Sequence, residues 1–103
     1  MVISSYKILL HREVLQEDSR HFDKKTKDKI KSKCVDLLSR HPDHVGEHLG
    51  GELHFYRKLK VFDDYRVIYR VDKSKHEVLI LAVGIRRNEE VYHEALKRLR
   101  KGL

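Results

Sequence analysis

Apolar residues alternate with polar ones over much of the second half of the chain, and this period of two predicts strands. In residues 53–61 the apolar side chains share one face with Arg57, while the other face is polar and basic. Residues 65–72 form a second alternating run. Residues 78–83 are apolar throughout, which predicts an inner strand covered on both faces. The short turns between these runs indicate antiparallel hairpins.

The first half of the chain has the period of helices. A β-prone run at residues 5–10 leads into a short helical stretch, and residues 24–40 repeat apolar positions at steps of three and four. Asp23 is the predicted N-cap of this helix, and Pro42 ends it because the residue before a proline avoids the α region. Residues 41–52, with one proline and three glycines, are a predicted loop.

A last helix is predicted at residues 88–100, with Asn88 as its N-cap and an apolar stripe formed by Val91, Ala95 and Leu99. The predicted order of elements is β-α-α-β-β-β-α. This is a small α+β fold, a single domain over residues 1–103, with two N-terminal helices packed on a mainly antiparallel sheet and a C-terminal helix.

The chain is strongly basic for its size. Its 103 residues include 23 lysines and arginines against 16 aspartates and glutamates, a net charge of +7. We therefore expect a polyanionic partner: nucleic acid, an anionic membrane surface or an acidic protein. The single cysteine, Cys34, fits a small core residue and excludes an internal disulfide. With no apolar run long enough for a signal peptide or a membrane span, we expect a cytoplasmic protein.

Two further clusters of residues could carry chemistry. Six lysines lie within residues 24–33; they could contact RNA phosphates, with Lys24, Lys25, Lys27 and Lys31 as the candidates, or they could be the solvated side of the helix. Three histidines, with Asp43 and Glu47, share the loop at 41–52. A loop without cysteine or a second ligand cluster is a poor zinc site, so no metal or other cofactor is expected.

Four motifs occur together between residues 49 and 99: a Leu-Gly-Gly loop, a Tyr-Arg-Lys-Leu-Lys strand, the strand DYRVIYRV and the closing segment VGIRRNEEVYHEALKRL. With the helices before them, they resemble the RelE toxins of the RelE/ParE superfamily of prokaryotic toxin–antitoxin systems. The resemblance implies a ribosome-dependent mRNA endonuclease that cuts the codon in the A site. It also implies a cognate antitoxin that holds the toxin inactive in a hetero-oligomer, and it names mRNA and the ribosome, not a membrane, as partners.

The same resemblance implies which residues form the site. The family's Lys-x-Lys strand falls on Lys58 and Lys60, and the arginine after the tyrosine of the next strand falls on Arg66. The arginine past the Val-Gly turn falls on Arg86, and the tyrosine of the following Glu-Val-Tyr falls on Tyr92.

Two neighbouring arginines compete with this assignment. Arg57 would replace a lysine if the register of the strand shifted by one, but strand parity places it on the apolar face. Arg87 stands beside Arg86 and could exchange roles with it. Both are kept as candidate RNA contacts.

The implied chemistry needs no metal. Cleavage through the 2′-hydroxyl of RNA requires a base for that hydroxyl, charge stabilisation at the pentacoordinate phosphate and an acid for the leaving 5′-oxygen. We expect Tyr92 or Lys60 to act as base or positioner, Arg86 and Lys58 to stabilise the phosphate, and Arg66 to stabilise the phosphate or protonate the leaving group. By the resemblance, the products are a 2′,3′-cyclic phosphate and a 5′-hydroxyl end.

Two other functions remain open. The ParE-like branch of the fold inhibits gyrase without RNA chemistry, although by the resemblance its members lack the full set of cations and the tyrosine. A catalytically inactive protein could instead only bind an antitoxin and tune its repression of an operator.

Overall fold

The computed structural model describes residues 5–86 and 89–102. Within them the elements are β1 (Lys7–Leu10), α1 (Arg12–Gln16), α2 (Lys24–Leu38), β2 (Glu47–His48), β3 (Tyr56–Val61), β4 (Tyr65–Asp72), β5 (Glu77–Ile85) and α3 (Glu90–Arg100). Single 3₁₀ turns precede α2 at Asp18–His21 and β3 at Gly51–Leu53. The predicted α+β class is confirmed. Of the described helices, none is both long and apolar enough to cross a membrane.

The sheet has the strand order β1-β5-β4-β3-β2. β1 pairs with β5 in parallel, and the other pairs are antiparallel. β5 is therefore an inner strand, as its continuous apolar run predicted. One face of the sheet carries α1 and α2, and the other face carries α3.

The core beneath α2 follows the predicted helical stripe. Ile30, Cys34 and Leu38 are buried against Val67, Tyr69 and their neighbours on the sheet. Burial raises the pKa of the Cys34 thiol to about 12, because a thiolate is poorly solvated there. The predicted N-cap of α2 is also confirmed, since the Asp23 carboxylate accepts a hydrogen bond of 2.8 Å from the backbone N–H of Thr26.

The prediction for the start of β3 was wrong in two respects. The strand begins at Tyr56 because the 3₁₀ turn interrupts the extended chain before it, and Phe55, expected in the core, is 64% exposed. The face that carries Lys58 and Lys60, predicted to be polar and basic, is partly buried. Tyr56, at 1% exposure, packs on this face with Ile68 beneath α3.

The predicted loop at residues 41–52 contains the two-residue strand β2, a correction to the sequence pattern. Gly46 allows the chain before β2 to approach β3 closely. Its φ is +72°, and a Cβ atom there would lie 2.5 Å from the carbonyl oxygen of Lys58. The buried Tyr69 hydroxyl lies 2.7 Å from the carbonyl oxygens of Pro42 and Val45. Two residues are too few to show a strand period, so the pattern could not reveal β2.

The start of α3 also differs from the prediction. The helix begins at Glu90 with Glu89 as its N-cap, at a φ of +56° and without a capping side-chain hydrogen bond. The predicted N-cap, Asn88, lies outside the described residues. Val91 and Ala95 are buried and Leu99 is packed beside them, as the predicted stripe required.

Candidate active site

Three of the predicted site residues lie on the face of the sheet that carries α3. Lys58 and Lys60 project from β3, and Arg66 projects from β4 directly opposite Lys60. Like charges in opposite positions on neighbouring strands destabilise a sheet. Within residues 5–86 and 89–102, neither Lys60 nor Arg66 forms a salt bridge with a carboxylate. A bound anion such as phosphate would relieve this repulsion.

The side chain of Lys58, on β3, contacts both β2 and α3. Its Nζ lies 3.2 Å from a carboxylate oxygen of Glu47 and 5.9 Å from the centroid of the Tyr92 ring. The pKa of Lys58 is raised above its usual value. A side-chain hydrogen bond with Tyr92 has the largest effect, burial partly opposes it, and the Glu47 carboxylate raises the pKa further. Lys58 therefore stays protonated at neutral pH.

Arg66 and Arg86 both contact the turn between β3 and β4. One terminal nitrogen of Arg66 donates to the carbonyl oxygens of Asp63 and Tyr65, at 2.8 and 3.0 Å. The backbone N–H of Arg86 donates to the Asp64 carbonyl at 2.9 Å, and its guanidinium lies 3.8 Å from the Asp63 carboxylate. The structure thus places these two arginines at one end of the sheet.

The predicted residues form two pairs with one residue between them. Lys58 lies near Tyr92, and Arg66 and Arg86 contact the same turn. Lys60 lies between these two pairs: it follows Leu59 on β3 and is opposite Arg66 on β4. This arrangement presents cations along one strand face and its end, with a phenol beside them, which suits a phosphodiester.

Two buried contacts hold α3 over this face. Gly84 lets the helix approach, because a Cβ atom there would lie 3.0 Å from that of Val91, the residue before Tyr92. At the other end of α3, Arg98 is 3% exposed and makes two hydrogen bonds to the Asp18 carboxylate, at 2.6 and 2.7 Å. The same carboxylate accepts from the Val83 backbone N–H at 2.8 Å.

Sequence reasoning missed Glu47, Arg98 and the Asp18 partner of Arg98. Glu47 was considered only as a metal ligand, and Arg98 was not considered because a charged residue in a helix is normally exposed. A weak signal existed for Arg98: it lies next to Leu99, three positions after Ala95, on the side of the helix that carries the apolar stripe.

The remaining candidates lie elsewhere. Arg57 occupies the apolar face, as parity predicted, and its guanidinium donates to the carbonyl oxygens of Val45 and Gly46, each at 3.2 Å. It therefore fastens the loop before β2, and its role as an RNA contact stays a prediction. Arg87 lies outside the described residues. The lysines of α2 are exposed on the opposite side of the sheet; the predicted contacts there are Lys24, Lys25, Lys27 and Lys31.

The histidine-rich loop does not assemble a ligand set. Among the described residues, no group of three His, Cys, Asp or Glu side chains is placed to hold a metal ion. Asp43 instead lies 3.1 Å from the ammonium of Lys73 and 3.8 Å from the ring of His44. The lack of a metal requirement stays a prediction.

Comparison with known proteins gives consistent matches. The sequence model of the ParE toxin of type II toxin–antitoxin systems matches residues 8–90. The mRNA interferase toxin RelE of Escherichia coli K12 is 33% identical over 73 residues, 71% of this chain and 76% of RelE. The mRNA interferase RelE of Shigella flexneri matches with the same values.

Solved structures extend the likeness to the fold. A mutant of Escherichia coli RelE in the free state superposes with a TM-score of 0.68 at 26% identity, covering 92% of this chain and 98% of that one. The toxin–antitoxin complex RelBE2 of Mycobacterium tuberculosis gives a TM-score of 0.74 at 24% identity, with 84% and 98% covered. A RelE mutant bound to a peptide of the antitoxin RelB gives 0.62 at 25% identity, with 87% and 93% covered.

Proposed function

We propose that this chain, which belongs to the RelE/ParE family of type II toxins and is a RelE-type toxin, cuts mRNA in the ribosomal A site. In this proposal it is a metal-independent endoribonuclease that stops translation. The relatives named mRNA interferases support an RNA substrate. The residues that carry the activity are those on the α3 face of the sheet and at its end.

The observation that carries the proposal is the pair of opposed cations, Lys60 and Arg66. Two positive side chains in register on neighbouring strands repel each other unless an anion lies between or above them. Lys58 on the same strand face and Arg86 at the turn add two more positive charges. A phosphodiester in which negative charge grows during reaction is the ligand that such a set stabilises best.

The proposed reaction is an in-line attack within the RNA itself. The 2′-oxygen forms a bond to phosphorus as the bond to the 5′-oxygen breaks, and a 2′,3′-cyclic phosphate and a 5′-hydroxyl result. One proton leaves the 2′-hydroxyl for a base, and one is given to the departing 5′-oxygen by an acid. No oxidant, reductant or cofactor is needed.

The geometry supports particular roles for the residues. Lys58 has a raised pKa and so remains a cation, which suits stabilisation of the phosphate and not proton removal. Tyr92 beside it and Lys60 farther along the strand remain the two candidates for the base. Arg86 supports the phosphate, and Arg66 supports the phosphate or protonates the leaving oxygen.

We also propose that a cognate antitoxin binds this toxin in a hetero-oligomer in the cytoplasm, where ribosomes are, and that residues 1–103 form one toxin domain. Solved complexes of RelBE2 and of a RelE mutant with a RelB peptide support an antitoxin partner. The net charge of +7 favours an acidic or amphipathic segment that wraps the domain.

Induced expression in a bacterial host tests the proposed function. The cell carries two reporter messages that differ only in an intact or an altered start codon, and primer extension maps the cuts. We expect cuts within codons of the translated message and none in its untranslated twin, because the ribosome presents the substrate.

The same culture separates the alternatives. The family model is that of the ParE toxin, so a gyrase inhibitor is the second candidate. Broken DNA with intact messages would support that function. Intact DNA, intact messages and normal growth would indicate an inactive antitoxin-binding protein. Equal cutting of both messages would contradict dependence on the ribosome.

A further inference from the structure

A second basic surface lies on the other side of the sheet from the proposed active site. It is an open cleft of about 550 Å³ between α2 and the β3–β4 turn. Its walls include Lys25, Lys29, Ser32, Lys33 and Phe62, with Asp28 and Asp36 also lining it. The three lysines are spaced four residues apart, so their side chains follow one another along a single face of the helix.

The positive charges of these lysines are available to bind a ligand. All three are exposed, and no salt bridge engages them in the part of the chain that the structure describes. The two aspartates reduce the positive charge of the cleft but do not cancel it. Successive cations along one helix face fit a polyanion that runs beside the helix.

Phe62 gives the cleft a flat aromatic wall. Its side chain is 51% exposed, although burial of a phenylalanine is strongly favourable. Its backbone has a φ of +50°, in the left-handed region where a bulky residue is strained and glycine is the usual choice. A turn that keeps an exposed aromatic side chain at the cost of strain is a feature typical of a binding surface.

The turn connects this cleft to the active site. Phe62 precedes Asp63, whose carbonyl oxygen accepts from Arg66 and whose carboxylate lies 3.8 Å from Arg86. A strand of RNA held at the arginines could therefore pass the tip of the hairpin and continue along α2.

We propose that the cleft binds single-stranded RNA beside the scissile phosphate, with an unpaired base stacked on Phe62 and phosphates on Lys25, Lys29 and Lys33. Stacking on an aromatic ring with cations along the backbone is a common mode of single-strand recognition. An acidic peptide could use the lysines but would gain little from a flat ring. The inference rests on the proposed function and adds a second contact of the same substrate.

The test measures binding without cleavage. A fluorescent 2′-O-methyl RNA of twelve nucleotides cannot be cut through its 2′-oxygen, and its affinity is read by fluorescence anisotropy. We expect Phe62→Gly to weaken RNA binding about tenfold. The melting temperature of this variant should stay the same or rise, because glycine relieves the left-handed strain. Phe62→Tyr should bind like the parent, and Phe62→Leu, which keeps bulk but not the ring, should bind like Phe62→Gly.

Two triple variants of equal net charge test the lysines of the cleft. When Lys25, Lys29 and Lys33 are changed together to glutamine, log affinity should fall less steeply with log salt. The magnitude of the slope should decrease by about 2, as expected for three lost phosphate contacts. The matched control changes Lys7, Lys75 and Lys97 to glutamine; these lysines are exposed, lie outside α2 and do not line this cleft. It should change the slope far less.

The outcomes separate this inference from the proposed function. The cleft is not an RNA site if the parent fails to bind the oligonucleotide, if Phe62→Gly binds as the parent does, or if both triple variants lose the same slope. The same conclusion follows if an oligoglutamate of equal charge binds with the same dependence on Phe62. In that case, ribosome-dependent cutting by the parent would still support the proposed function. Conversely, Phe62-dependent binding without any cutting would support the cleft as an RNA site and contradict the nuclease activity.

Discussion

Glu47 is the residue whose place in the site could not be expected from the sequence. It comes next to Lys58 only because β2 pairs with β3, and its carboxylate lies 3.2 Å from the lysine ammonium. In the free protein this carboxylate occupies one side of the cation that is proposed to hold the phosphate. Glu47 is therefore a competitor of RNA for Lys58.

Replacing Glu47 by glutamine should tighten RNA binding severalfold, because a surface ion pair contributes about 0–1 kcal/mol and its loss frees Lys58. The pKa of Lys58 should fall toward its usual value, and it should fall further in Tyr92→Phe, since the Tyr92 hydroxyl contributes most to the increase. Anisotropy with the 2′-O-methyl RNA and NMR titration of the lysine side chains measure the two effects.

Glu52→Gln is the matched control. It removes the same charge from a carboxylate paired with Arg100, outside the proposed site. Equal tightening by Glu47→Gln and Glu52→Gln would mean that only net charge matters, and the competition with Lys58 would be refuted.

At the scale of the elements, long patterns predicted the fold well. The stripe of α2, the inner position of β5 and the faces of β4 all came from patterns that extend over six or more residues. What the pattern missed depends on distant partners. β2 exists because Gly46 allows contact with β3, and Arg98 is buried because Asp18, 80 residues away in the chain, accepts its hydrogen bonds.

The contact between Arg98 and Asp18 anchors α3, and with it Tyr92, to the sheet. Asp18→Asn should lower the free energy of unfolding by about 3 kcal/mol or more, because an arginine that is 3% exposed loses its counter-charge. Urea unfolding measures this as a lower midpoint at an unchanged slope.

The control for this contact is Glu94→Gln. Glu94 is the other carboxylate near Arg98, at 3.6 Å, but it is 45% exposed. Its replacement should change the free energy of unfolding by less than about 0.5 kcal/mol. Similar midpoints for the two variants would show that the buried pair does not anchor the helix.

For the molecule as a whole, two basic surfaces contribute to the net charge of +7. The lysines of α2 lie on one side of the sheet, and the proposed active site lies on the other. The β3–β4 turn is where both surfaces meet. Strand parity in the sequence placed Lys58 and Lys60 on a common face, but only the fold shows that Arg66 lies opposite Lys60, that Tyr92 lies near Lys58 and that Arg86 contacts the turn.

Cleavage by the purified toxin on ribosomes with a defined codon in the A site tests the central claim most directly. Single-turnover rates are compared for the parent, Arg86→Ala, Tyr92→Phe and Arg70→Ala, a control arginine on the face of β4 that carries Arg66. We expect the parent to leave a 2′,3′-cyclic phosphate, Arg86→Ala to be slower by about 100-fold or more, and Arg70→Ala to remain within about threefold of the parent. Tyr92→Phe should also be slower. Cutting by Arg86→Ala and Tyr92→Phe at the rate of the parent would contradict the account.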